Sequence, residues 1–220
     1  MKSEDFPVIH VPSRSKAVSR RGVLIGGAIA GLSGAIGLSA VRPARAQSPE
    51  DVVNDIEILN GALYYEHQAI WAYQTAAGFL SDTDVGRAVL GIAGQNMNDH
   101  MAHRDALTAA VQSLGGTPAT AESEYDLSSY IERGEGNLDS DVNIAKLALA
   151  LETDAAIAYT TEVARLKTPA LITAGASIGT AESAHATAIR AAFIALGEDI
   201  RYVPASFVSA DTRNDWVLKV

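Results

Sequence analysis

Cysteine is missing from all 220 residues of the chain. No disulfide framework and no thiolate metal site is therefore open to it, and the absence suits an oxidising compartment without requiring one. Beyond residue 47, Gly-Pro clusters are scarce, and the alternation of apolar and polar residues that marks strands is almost absent. No motif for a nicotinamide, flavin or haem cofactor is visible, so any redox chemistry must draw on something else. Positive charge is short as well. Residues 1–46 hold 7 of the 17 Lys+Arg but only 2 of the 26 Asp+Glu, which leaves 10 basic and 24 acidic residues, a net of −14, in the remainder. A surface that acidic repels phosphate backbones, which argues against nucleic acid as a partner and toward cations.

The first 46 residues read as a separate segment. The stretch "SRRGVLIGGAIAGLSGAIGLSAVRPARAQ" opens on Arg20-Arg21, continues as a Gly- and Ala-rich apolar run, and ends in the small-x-small pattern Ala44-Arg45-Ala46. It resembles a twin-arginine export signal. The expectation is passage through the twin-arginine machinery, cleavage, and a periplasmic or other extracytoplasmic location. An uncleaved membrane anchor is the other reading, because the run is about long enough to span a bilayer; its glycine content weakens that drive.

The rest falls into four helical stretches. Ser48-Pro49-Glu50-Asp51 combines a capping serine, proline in the first turn and acids at the positive dipole end. An inward stripe follows through Leu59, Leu63, Glu66, Ile70, Tyr73 and Ala77. "SDTD" (81–84) ends this helix and caps a second, whose stripe includes Val89, Asn96, His100, His103, Leu107 and Leu114, and which stops at Gly115-Gly116. A third opens near Asp139-Ser140 and carries Ala145, Ala148, Glu152, Ala155 and Tyr159. Thr168-Pro169 closes it and caps a fourth with Leu171, Ile178, Glu182, His185 and Ile189, ended by Gly197. Short links join helices one to two and three to four, whereas "TPATAESEYDLSSYIERGEGNL" between the second and third can run the length of a bundle. The expectation is an all-α protein: two antiparallel hairpins joined by a long crossover in a four-helix bundle, over residues 47–197, followed by a tail, 198–220, packed on it. The tail's aromatics, Tyr202, Phe207 and Trp216, are expected against the outside of the bundle, with a partner-binding strand as the sharper alternative. The alanine stripes, with Gly86, Gly91 and Gly94, suggest close helix approach.

An internal repeat runs through the two hairpins. "YEHQAIWAY" (65–73) and "LETDAAIAY" (151–159) share a glutamate with a tyrosine seven residues on. "HRDALTAAVQSLG" (103–115) and "HATAIRAAFIALG" (185–197) share a histidine with Leu-Gly eleven residues on.

Large polar groups on apolar stripes need a reason, since each costs several kcal/mol if left unpaired. Here they are Glu66, His100, His103, Glu152, Glu182 and His185. In a hairpin, residues at equal height are symmetric about the turn. Residue 83, inside "SDTD", is midway between Glu66 and His100, and residue 167 is midway between Glu152 and Glu182, so both pairs belong at mid-bundle. Spacings of three, His100-x-x-His103 and Glu182-x-x-His185, put both members on one face. Two cations held by carboxylates, with imidazole completing each sphere, suit such a set; a metal-free network of buried ion pairs is the plainer reading. Tyr73 and Tyr159 are candidate hydrogen-bond donors to the carboxylates or simple core aromatics. Asn96 has the same two readings, and His67 is a boundary histidine.

The constellation and "HMAHRDAL…GGTPA…Y" followed by "LE…AY" resemble the ferritin-like superfamily over nearly the whole mature chain, and within it an exported bacterial family of uncharacterised function. The resemblance implies a dinuclear divalent-metal site, iron first and manganese, zinc or copper as alternatives, with oxygen or peroxide as co-reactant. His100 departs from it, standing where the family pattern has glutamate; three carboxylates then face the four positive charges of two divalent ions. Asp99 is placed to substitute only by swinging about 100° around the helix. A metal-binding oxidase is the leading expectation. The alternative is a non-enzymatic bundle serving envelope stress or partner binding. Storage in a shell is a third, for which the sequence identifies no interfaces, and homo-oligomer formation is left open.

Overall fold

The computed structural model describes residues 48–202 and 209–220. Residues 1–46, read above as resembling an export signal, and Phe207 lie outside the described residues. The chain folds as α1 (Pro49–Ala77), α2 (Asp84–Ser113), the short α3 (Ser128–Glu132), α4 (Asp141–Val163) and α5 (Pro169–Ala195), then a 3-10 helix, Ala210–Asp215. There is no strand among the described residues, and no described helix is long and apolar enough to cross a membrane.

The helix boundaries follow their chemistry. Ser48 accepts a hydrogen bond from the Asp51 amide at 3.1 Å, Thr83 one from Gly86 at 3.1 Å, and Ser140 one from Asn143 at 3.2 Å. Past α2 and α5 the chain turns through Gly115 (φ +80°) and Gly197 (φ +92°), a left-handed conformation that favours glycine. Thr168 precedes α5 without capping it through its side chain. Its amide and hydroxyl instead donate to Asp55 of α1, at 2.9 and 2.6 Å, beside the Lys167 amide at 2.8 Å. At the opposite end of the bundle Asp141 of α4 accepts from the Ser81 amide at 2.8 Å, the Ser81 hydroxyl at 2.5 Å and the Thr83 hydroxyl at 3.2 Å. Each hairpin's first helix thus supplies a carboxylate that closes the other hairpin's turn.

Helices α1 and α2 pack closely as one hairpin and α4 and α5 as the other. The glycine contacts differ from expectation. A Cβ on Gly91 or Gly94 would meet nothing within 4 Å, and one on Gly86 would strike the chain's own Ser81 carbonyl. The close approach falls on α5: a Cβ on Gly175 would lie 2.8 Å from Val163 and one on Gly179 2.9 Å from Tyr159. Apolar side chains form two clusters. One joins Leu59, Leu63, Leu107, Val111, Leu171 and Ile178; the other joins Leu149, Ala186, Ile189 and Phe193. The crossover contains α3 and a buried Tyr125, whose ring meets Tyr64 edge-on at 5.3 Å.

The tail is held by charge and one aromatic. Trp216 is buried under the Arg190 guanidinium at 4.7 Å, whereas Tyr202 is exposed. Arg213 reaches Asp154 at 2.5 Å and the fully buried Glu135 at 2.5 and 2.7 Å, and Arg133 and Lys219 reach Glu135 at 2.9 Å.

Candidate metal centre

At mid-bundle the polar side chains of four helices meet. Glu66 comes from α1, His100 and His103 from α2, Glu152 from α4, and Glu182 and His185 from α5. His103 is 13% exposed at its side chain; the other five are buried. Helical periodicity makes the convergence local: a spacing of three carries both α2 histidines, and both α5 ligand-type groups, onto one inward face.

His100 sits at the hub. Its Nδ1 is 2.8 Å from Glu66 Oε2 and 3.8 Å from Glu182 Oε1, while its Nε2 is 3.2 Å from Glu152 Oε1. His185 Nδ1 lies 3.2 Å from Glu152 Oε2 and 3.4 Å from Glu182 Oε2. Two overlapping sets of four, Glu66/His100/His103/Glu182 and His100/Glu152/Glu182/His185, offer ligand atoms all within 4.8 Å of one another and could each hold a metal ion.

The surrounding groups orient the carboxylates. Tyr73 donates from α1 to Glu152 Oε1, and Tyr159 donates from α4 to Glu66 Oε1 at 2.5 Å. In the internal repeat each tyrosine therefore bonds the glutamate of the other copy. Asn96 donates to both Tyr73 Oη, at 3.0 Å, and Glu152 Oε1, at 3.1 Å. Asp99 does not swing toward the position of His100. It reaches across to His185 Nε2 at 3.1 Å, with its side chain 53% exposed, and so steadies that ring from the solvent side. His67 lies apart, its Nε2 3.3 Å from the Ala119 carbonyl.

Charge is balanced unevenly. Burial pushes the Glu66 and Glu152 carboxyls up, but the histidines outweigh it: His100 and His103 hold Glu66 at about 2, and His100 and His185 hold Glu152 well below its ordinary value. Burial lowers the histidines and the carboxylates overcome it, raising His103 to about 9 and His185 to about 10, with His100 also well above its ordinary value. Burial wins only at Glu182, whose carboxyl is raised despite three histidines around it. Burial and the charges of Glu152 and Glu66 lift Tyr73 and Tyr159 far up, so both stay protonated donors. Glu182 is also the group left unsatisfied. Both its oxygens and His103 Nδ1 are buried without a hydrogen-bond partner, although Nδ1 and Oε1 stand 3.0 Å apart, because their alignment is wrong for one.

Asp55, Asp141, Asp99 and the Glu135 cluster were not singled out as contacts by the stripes, because each acts from a helix end, a helix flank or the crossover. Asp55 and Asp141 did leave a signal: each stands eleven residues before the glutamate of its repeat, Glu66 or Glu152.

No curated protein matches the chain. The crystal structure of a conserved hypothetical protein from Mycobacterium tuberculosis superimposes with a TM-score of 0.56 at 23% identity, covering 71% of this chain and 99% of that one, a likeness of fold. With the all-helical bundle and its mid-height cluster of histidine and glutamate in place, the match of the ferritin-like domain model to residues 54–195 shows that the chain belongs to the ferritin-like domain family.

Proposed function

We propose that the mid-bundle cluster binds two divalent metal ions, iron before manganese, zinc or copper, and serves oxidation by oxygen or peroxide outside the cytoplasm. The observation that carries this reading is the buried Glu182 carboxylate with no hydrogen-bond partner beside an equally unpartnered His103 nitrogen. The two groups stand 3.0 Å apart with no aligned hydrogen bond, and a cation that displaced the His103 proton would give both a partner. Glu66, His103 and Glu182 would hold one ion. Glu152, Glu182 and His185 would hold the second, and the neutral His100 ring, which belongs to both sets but offers one nitrogen at a time, would complete one of the two spheres. Iron bound there would supply one-electron chemistry with oxygen or peroxide.

The chain's own part is positioning. Tyr73, Tyr159 and Asn96 fix the carboxylates, and Asp99 fixes the His185 ring. His100 lowers the negative charge of the set relative to a four-carboxylate site, which shifts its preference toward borderline ions. Export through the twin-arginine route, suggested by Arg20-Arg21 and Ala44-Arg45-Ala46, belongs to the same proposal and fits loading of metal before transport.

The test is elemental analysis of protein from its native compartment beside a Glu182→Ala, His185→Ala double variant. About two iron or manganese atoms per chain, lost in the variant, support the reading. One zinc or copper makes the site a rewritten, mononuclear one and overturns the two-metal reading. The close pairing of His100 with Glu66 and Glu152 favours a second reading, a metal-free bundle stabilised by buried ion pairs. No metal in either protein, after reconstitution too, establishes that one.

A further inference from the structure

The α1–α4 side of the bundle does not close. Between these helices runs a cavity of about 1160 Å3, at or above the roughly 300–1,000 Å3 of small-molecule sites. It extends along α1 from Glu57 to Ala77, about 30 Å at the helical rise. Its walls include alanines at seven-residue intervals, Ala62, Ala69 and Ala76 on α1 and Ala148 and Ala155 on α4, beside larger apolar side chains such as Trp71, Tyr125 and Leu151. Small residues at that spacing suggest helices in close contact, yet here these side chains are only partly buried and the space between them is open. The cavity reaches Ile189 and Phe193 in the core, and Glu66, His100 and Glu152 lie along its lining at mid-length.

The shape and polarity specify the occupant. A long and mainly apolar space, about 30 Å from end to end, suits an extended aliphatic chain. Charged lining residues other than Glu66 and Glu152 are Glu57, Asp84, Asp154, Glu162 and Arg165. The one guanidinium among them is already bound by Glu162 at 2.7 and 2.9 Å. Asp84 is likewise paired with Arg87 at 2.6 Å and Asp154 with Arg213 at 2.5 Å, which leaves Glu57 as the surplus carboxylate of the rim; with the net −14 beyond residue 46 it favours a neutral or cationic head over an anionic one.

We infer that the α1–α4 cavity is a binding site for a long-chain aliphatic molecule with a neutral or cationic head, its chain lying over the Glu66–His100–Glu152 level. Binding rests on the cavity walls and not on a bound metal, so it holds whether or not the metal reading does.

The test is titration calorimetry of the purified protein with dodecanol, dodecyltrimethylammonium and dodecanoate below their micelle-forming concentrations, with and without a chelator. Saturable binding near one per chain is expected for the first two, with dodecanoate weaker by at least about tenfold. Ala69→Phe and Ala148→Phe, each filling the seam, should weaken binding by at least about tenfold while far-UV circular dichroism stays that of the parent. Ala76→Leu is a milder filling variant should either of those misfold. Tight binding of dodecanoate, no saturable binding, or unchanged binding by the filled variants overturns the proposal. So does a dimer that Ala69→Phe dissociates, which would make the seam a contact between copies. Binding abolished by the chelator overturns it too, by placing the ligand on the metal, and leaves the metal reading intact.

Discussion

Glu182→Met removes the two buried oxygens that lack hydrogen-bond partners and replaces them with an unbranched apolar chain of similar length. A buried polar group without a partner costs about 1–3 kcal/mol. Part of that gain is returned, because Glu182 helps hold His100, His103 and His185 above their ordinary values, and without it all three shed their protons more readily. The metal-free variant should therefore be more stable than the parent by about 1–2 kcal/mol, a rise in Tm of about 2–8 °C for a chain of this size. Metal reverses the order. Glu182 belongs to both four-residue sets. A metal present at about a thousand times its Kd stabilises the parent by about 4 kcal/mol, and the variant should gain little. Thermal denaturation followed by circular dichroism, with chelator and then with ferrous or manganous ion, reads both effects. If the variant melts below the parent in chelator, and metal moves both alike, Glu182 is a satisfied member of an ion-pair network and the argument from its orphaned oxygens fails.

Asp55 is fully buried and accepts from two amides and a hydroxyl, so Asp55→Ala should cost about 3 kcal/mol in urea denaturation, clearly more than Asp141→Ala, whose carboxylate keeps access to water; equal losses would contradict the role given to burial. Gly91→Ala and Gly94→Ala should each add about 1 kcal/mol, since the new methyl meets nothing within 4 Å and the helix gains propensity. A loss at either position would show a contact the structure does not have. The Glu135 carboxyl is pushed up by burial, but its hydrogen bonds from Arg213, Arg133 and Lys219 hold it well below its ordinary 4.5. Its folded-state value being depressed, its contribution is complete above 4.5 and is lost progressively as pH falls below that. In a Trp71→Phe background, Trp216 fluorescence should then shift to the red on acidification, and Glu135→Gln should show the shifted spectrum at neutral pH already.

Hairpins, crossover and the height of the polar layer were legible because each rests on chain-local physics: capping residues, a 3.6-residue period, and reflection about a short turn. The same arithmetic brought Glu66 level with His100. What it could not supply was distance between helices. Alanines on α1 and α4 imply small side chains at the seam, and the sequence alone cannot distinguish a tight seam from an open one. Gly91 and Gly94 were misread for the same reason, while Gly175 and Gly179, whose neighbours come from another helix, went unnoticed. Thr168 looked like a helix cap because its type and place suit one; a carboxylate over a hundred residues earlier, Asp55, takes its amide and hydroxyl instead. Arg213 and Glu135 likewise meet only through the fold.

Asp55 and Asp141, with the crossed tyrosine–glutamate bonds, give the molecule an approximate twofold axis: what one hairpin offers, the other returns. Each hairpin therefore carries its half of every reciprocal contact, and the covalent link between them lies in one crossover whose residues 121–124 are exposed. A chain opened there would leave two fragments with complementary faces, able to complement one another in trans. Two intact chains exchanging hairpins would rebuild the same centre twice, once in each half of a swapped dimer.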